Sequence, residues 1–551
     1  MLTKCFPYRA ATTLVLIALS YQSHLRAAPA PAADAGTRLH NGWKITPAGR
    51  HEVAGDMLLG CALSPDGKTL ALTSVGYGKH QLHLVDTTTG KIRQSLPLGR
   101  AWNGVAWNGN DTIYVSGGAS PAIHVFLRRL NGSFSPGLDV TLPDIAADPK
   151  VDKGKGQAYL AGLALAPDRT LYIANLATDT IYARNMTDGT IKVQRQLDKG
   201  VRPFCVRLAP DGLYVTQWAE SNIVVLNPAT LETVRTLATG SHPNDFVFAP
   251  DGRLFVSCAN DDAVVVLDRK SGAMQERILT HLTPQSPAGA TPNAIALSPD
   301  GKTLYVANAD NNAVAVVDVS LPGRSHVRGF IPTGWYPTAV CVAPDGQRLF
   351  IGSGKGLGTH PNPAKVPQPN QVAPTGFEYI GRMLHGVVST VPIPDEARLA
   401  AYTKQVYDNT PYNDALIERP ARAPQQGANA IPSRVGDASP LKYILYIIKE
   451  NRTYDQVMGD FKDRDGKSRG NGDPNLTLFG EDVTPNQHEL ARQYVLLDNT
   501  YCNGEVSADG HPWSTAAYVT DIVQRLWPPN YGGKGPAPLN EKVATPPAGY
   551  I

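Results

Sequence analysis

The sequence has almost no net charge: Lys+Arg of 51 against Asp+Glu of 48 leaves +3 over 551 residues. With no long run of either sign, nucleic acid and anionic membrane are excluded as favoured partners. Cysteine is scarce, six in all, with no CxxC or CxxCH. That absence argues against a cysteine zinc site, a c-type haem and a dense disulfide framework. Cys61, Cys205, Cys258, Cys341 and Cys502 are scattered and odd in number, and are expected as buried, unpaired thiols. Long apolar runs are missing as well. The first, at 11–19, follows Lys4 and Arg9 and leads into small residues at 27–35. That order predicts a secretory signal over 1–33, hence a periplasmic or secreted protein. No later stretch is long enough to span a membrane, so no transmembrane segment is expected once the signal is removed.

What is present is glycine, 51, and proline, 45, which suit a turn-rich, mainly β body. At 551 residues the chain is too long for one core. The tetrapeptide Ser64-Pro65-Asp66-Gly67 recurs with its Pro-Asp pair at Asp168, Asp211, Asp251, Asp300 and Asp345, and a degenerate copy ends at Asp111. Proline second, aspartate third and glycine fourth fit a tight turn. Each turn separates two strand-like runs, as in Thr303-Leu304-Tyr305-Val306-Ala307-Asn308 after Ser298-Pro299-Asp300-Gly301. A third run and a weaker fourth follow, which makes four short strands per repeat, the unit of a propeller blade. Seven repeats predict seven blades, with 42–53 lending the strand that closes the ring. A Pro-rich insertion, 358–375, interrupts the last blade. The marker aspartates are turn formers first. Arg202-Pro203, His242-Pro243, Thr291-Pro292 and Tyr336-Pro337 stand at the starts of inner strands, where they shape loops or ring one mouth of the channel.

The YVAN run with its SPDGKT turn resembles the YVTN repeat of YncE-like β-propellers. The resemblance covers about 55–395 and implies a fold more than an activity.

Beyond the ring, expected over 42–395, a helix at 395–407 and a Pro/Gly/Ser-rich segment ending near 440 form a bridge, 396–440. From 441 the pattern changes to α/β. The apolar run 443–448 does not alternate and predicts a strand buried on both faces, and 494–497 predicts a second. Helices are expected at 454–460, Pro485–Gln493 and 514–524. The first strand delivers Glu450 and Asn451, two hard oxygen donors; the second leads to Ser507 and His511. Such residues after a strand also serve as helix caps. As chemistry, they suit metal-assisted phosphate-ester hydrolysis, in which a divalent cation polarises phosphoryl oxygens and a hydroxyl attacks.

The segment KENRTYDQVMGD, with LLDNTYCNGEVSADGHPWSTAAYVTD, resembles the beginning of the phosphoesterase family of phospholipase C-type and acid phosphatases, within the alkaline phosphatase superfamily. The resemblance implies metal ligation by Glu450 and Asn451 and a nucleophile at Ser507, with Thr500, Ser514 and Thr515 as neighbouring hydroxyls. His511 would hold the phosphate or leaving group. It implies a phosphate-ester small molecule or a phospholipid as substrate, and a protein or cell-envelope ligand at the propeller face. Family members need a few hundred further residues, so 441–551 is expected as a partial phosphoesterase domain, inactive in this form. A non-catalytic binding or scaffold propeller is the alternative.

Overall fold

The computed structural model describes residues 36–360, 362, 378–416, 430–431 and 437–531. The expected signal, most of the insertion at 358–375 and most of the connecting segment before 440 lie outside these residues. Two units divide the chain, 1–37 and 38–551. Of the first only Gly36 and Thr37 are described; the second holds the whole propeller and the C-terminal helices.

Seven antiparallel sheets follow one another in chain order. The first blade takes Leu58–Leu63, Thr69–Ser74, Gln81–Asp86 and Ile92–Pro97 from the inside outward. The second carries five strands, because Phe134–Pro136 and Val140–Thr141 both pair with Ala122–Arg128. In the seventh, Trp335–Val342, Arg348–Gly356 and Val387–Pro392 are completed by Arg50–Val53, with Arg50 opposite Thr390 and Val53 opposite Val387. The N-terminal side thus lends the last blade its outer strand, so that Val387–Pro392 is not left as an exposed edge.

The repeated turn explains the repeated sheet. Gly301 N donates to Ser298 O at 2.9 Å, and Asp300 Oδ1 accepts from Lys302 N at 3.1 Å and from Ser298 Oγ at 2.5 Å. Gly301 has φ +72°, a left-handed conformation that glycine adopts without a Cβ penalty. The aspartates therefore work as turn formers; these hydrogen bonds to the charged form keep Asp300 below the usual carboxylate range, and Arg348, with the Gln347 N–H, does the same for Asp345.

Between blades the apolar faces interlock; Phe255, Val264 and Val266 meet Leu304, Val306 and Val317 in one such layer. Around the axis the inner strands come close. A Cβ on Gly104 would lie 2.1 Å from Ala161 O, and one on Gly162 2.4 Å from Phe204 O. Glycine is needed there for the ring to be this tight.

After the last blade comes α1 (Glu396–Asn409), capped by Asp395, whose side chain accepts from Arg398 N at 2.8 Å. It buries Leu399 and Val406, and Thr403 Oγ1 accepts from Phe330 N on the sixth blade at 2.9 Å. Farther on come α2 (Tyr454–Met458), α3 (Pro485–Gln493), α4 (Ser507–Ala516) and α5 (Asp521–Asn530).

Here the structure departs from the sequence pattern. Neither 443–448 nor 494–497 is a strand. Tyr443, Ile444 and Leu445 are 85–92 % exposed, and Val495 and Leu497 at least 70 %. A run buried on both faces needs flanking strands and covering helices, and no sheet forms among the described residues after 392. The alkaline-phosphatase-like α/β layer is therefore not formed among these residues, which carry helices only. The helix expected at 514–524 is instead the end of α4 and the start of α5. The two are parted by Ala517 in the left-handed region, φ +53°.

Candidate functional site

The four residues singled out by sequence converge. Ser507 opens α4 and its Oγ donates to Glu450 Oε2 at 2.9 Å. Asn451 Nδ2 donates to the same Ser507 Oγ at 3.2 Å. One turn along, His511 Nε2 lies 3.4 Å from Glu450 Oε1. An i, i+4 spacing puts Ser507 and His511 on one helix face, so one carboxylate reaches both. Glu450 and Asn451 do not cap the helix that follows, since Gln456 Oε1 accepts from Thr453 N at 3.2 Å. Of the other hydroxyls, Thr515 Oγ1 is used locally, donating to His511 O at 2.8 Å.

The cluster is open to solvent, with His511 and Glu450 about half exposed (52 and 47 %). Its donors are one carboxylate, one amide oxygen, one hydroxyl and one imidazole, a set that suits a hard divalent cation in kind. In number it falls short. Among the described residues no group of three or more His, Cys, Asp or Glu is placed to hold a metal ion.

What fixes Ser507 is a layer that sequence reasoning missed. Lys355, on the seventh blade, donates to Glu505 Oε1 at 2.7 Å, with both side chains nearly buried. Its ammonium also sits 5.1 Å from the ring centroids of Trp335 and Tyr336. Asp509 closes the start of α4 by accepting from Glu505 N at 3.1 Å and Val506 N at 2.9 Å. Burial and the neighbouring Glu505 push the Asp509 carboxyl up to about 8. Burial also raises Glu505, but Lys355 and Asp509 more than offset it and leave it below its ordinary value. The two carboxyls thus behave as a pair that holds one proton, on the Asp509 side.

Past Ala517, α5 lies across the mouth of the propeller channel. Asp521 Oδ1 is 2.5 Å from His242 Nε2, and Asp521 Oδ2 accepts from Asn244 Nδ2 at 3.1 Å. Burial raises the Asp521 carboxyl; His242 and Arg525 outweigh it, so the group lies below its ordinary value. Arg525 Nη2 donates to Asn293 O at 3.0 Å, and Asn530 Nδ2 to Tyr159 OH at 3.1 Å. Ile522 and Leu526 pack with Trp102, Phe204 and Trp218, and Trp527 with Trp335 and Tyr336. The pre-proline residues Arg202, His242, Thr291 and Tyr336 share φ between +54° and +62°. Of these, His242 bears on α5 through its ion pair and Tyr336 through Trp527. A trace was visible in sequence: Asp521 and Arg525, i and i+4, stand in an otherwise apolar stretch. Their partners, Asn244 and Asn293, 277 and 232 residues earlier, were not.

The fold and these contacts define a seven-bladed β-propeller with a C-terminal helical segment docked on one mouth. A family model described as the SMP-30/gluconolactonase/LRE-like region matches residues 219–349, within the fourth to seventh blades. Among solved structures, the chain is similar to virginiamycin B lyase from Staphylococcus aureus, with 14 % identity, 62 % of this chain and 99 % of that one covered, and a TM-score of 0.45. A streptogramin B lyase structure gives 14 % identity, coverages of 62 % and 98 %, and a TM-score of 0.43. A chain of Kuenenia stuttgartiensis hydrazine synthase gives 18 %, 54 % and 93 %, and 0.43. No curated protein matches.

Proposed function

We propose that Glu450, Asn451, Ser507 and His511 form one side of a metal-dependent phosphoester-hydrolase site of the alkaline phosphatase type, carried on an exported propeller that serves as its binding module. The observation that carries this reading is the Ser507 hydroxyl held by both Glu450 and Asn451. Ser507 is the nucleophile, with Glu450 as its nearest proton acceptor. His511 would hold the phosphate or the leaving group. A divalent cation, when bound, would neutralise phosphate charge; Glu450 and Asn451 are the residues that would hold it. The donor set gathered here is too small for such a cation to be held firmly, so further ligands are required.

The test is hydrolysis of an aryl phosphate by the 551-residue chain, with and without a large excess of divalent metal. Turnover requires the metal, and Ser507→Ala abolishes it. No turnover with metal, or an active Ser507→Ala variant, would sink the assignment.

A second reading, a non-catalytic binding propeller, is favoured by the depth at which α5 is buried: the docked segment completes the propeller whatever Ser507 does. It predicts that the chain is inert towards phosphate esters with or without metal.

A further inference from the structure

With α5 across one mouth, the central channel becomes a well closed at one end. Its cavity of about 520 Å³ is lined by the inner strands of all seven blades, and Arg525 reaches it from the floor. That is ample for a small organic molecule. The walls are mixed: apolar side chains, Leu59, Leu163, Val206 and Ala294 among them, share the open surface with polar groups, which hold slightly more of it. An ion pair on the wall, Arg207 Nη2 to Asp245 Oδ1 at 2.8 Å, is satisfied internally and stands toward solvent, with Arg207 44 % exposed.

The floor is different. Arg525 is 3 % exposed; its Nε faces Asp521 Oδ2 at 3.3 Å and its Nη2 is taken by Asn293 O. No acceptor for Nη1 occurs among the described residues. Beside it Asn293, 2 % exposed, uses its Oδ1 to accept from Asn244 Nδ2 at 3.2 Å and leaves its own Nδ2 without a partner. One buried donor, Asn293 Nδ2, is thus unspent on the floor beside the guanidinium, and it carries a desolvation cost of about 1–3 kcal/mol until an acceptor arrives. The Asp521 charge does not cancel the guanidinium alone, because the same carboxylate serves His242 and Asn244.

We propose that this well binds a small organic carboxylate, its two oxygens accepting from Arg525 and the Asn293 amide and its apolar body lying along the inner strands. The free Nη1 and the Asn293 amide offer one donor to each of two carboxylate oxygens, and the apolar side chains on the walls add contacts that a bare inorganic anion cannot use. The site does not involve Ser507 and stands or falls apart from the hydrolase reading.

The experiment is calorimetric titration and thermal unfolding of the 551-residue chain with sodium benzoate, benzamide and inorganic phosphate as probes. Benzoate binds saturably and raises the melting temperature, and benzamide and phosphate bind at least tenfold more weakly. Arg525→Gln loses benzoate binding. Because that change also touches the docking of α5, Asn293→Asp is the second variant: nearly isosteric, it keeps the acceptor for Asn244 and replaces the free donor with a carboxylate. With its circular dichroism unchanged, it loses at least tenfold in benzoate affinity. The proposal is overturned by no saturable benzoate binding, by equal binding of benzamide or phosphate, or by a folded Asn293→Asp variant that binds benzoate like the wild type.

Discussion

Replacing Lys355 by methionine removes one charge and almost nothing else. The methionine stem keeps the packing over Trp335 and Tyr336 and gives up only the ammonium's attraction to those rings. What it leaves behind is Glu505, its side chain 3 % exposed, with no cation. Breaking a buried pair from one side costs about 3–5 kcal/mol, because the remaining charge is stranded in a medium that solvates it poorly. Glu505 can escape part of that cost by taking a proton, but Asp509 beside it already holds one, so two neutral acids must then share the start of α4. The loss is local: the ring of blades does not need Lys355, whereas the stretch around Glu505–Val506–Ser507 does. In Lys355→Met, hydrogen exchange over 503–516 therefore accelerates by two or more orders of magnitude, while the inner strands of the propeller exchange as before. The double variant Lys355→Met with Glu505→Gln recovers most of the protection, since a neutral pair of similar shape strands nothing. If the single variant changes exchange by less than tenfold, or if the double variant is no better than the single, the pair does not anchor the segment and this reading of the Ser507 helix is wrong.

Two further outcomes follow from the same geometry. Asp509 is raised to about 8 and Asp310, by burial, to about 7, each from 3.8. For both, the stabilisation is complete below the unfolded value and is lost as pH rises through the folded one. Docking of 503–530 therefore weakens from pH 5 to pH 8 and levels off above. Limited proteolysis across that range measures it, and a docking strength that rises with pH contradicts it. The exposed run is tested by Ile444→Glu with Ile447→Glu, at 89 and 67 % exposure. The free energy of unfolding should stay within about 0.5 kcal/mol of wild type and solubility should rise; a loss of several kcal/mol would mean that this run is a buried strand after all.

The propeller was legible because its signals are local and repeated. Each Ser-Pro-Asp-Gly turn writes its own hydrogen bonds within five residues, and each blade repeats the last. The convergence of Glu450, Asn451, Ser507 and His511 was legible only through resemblance, since nothing near residue 450 announces a partner near 507. The two apolar runs misled for a physical reason. An unalternating run such as Tyr443-Ile444-Leu445-Tyr446 states a preference for burial, but burial is supplied by neighbours that the described residues do not provide. The α5 plug was invisible for the opposite reason: Asp521 and Arg525 are costly in a buried helix until His242, Asn244 and Asn293, hundreds of residues away, meet them.

The docking of α5 is what makes one body of the ring and the Ser507 helix, and amide hydrogen exchange over 521–530 tests it directly. Amides there should exchange as slowly as those of the inner strand Pro243–Phe248, against which the helix rests. Exchange as fast as that of the exposed run at 443–448 would show that the helix is not seated on the channel mouth, and the sealed well and the anchored Ser507 would both be lost.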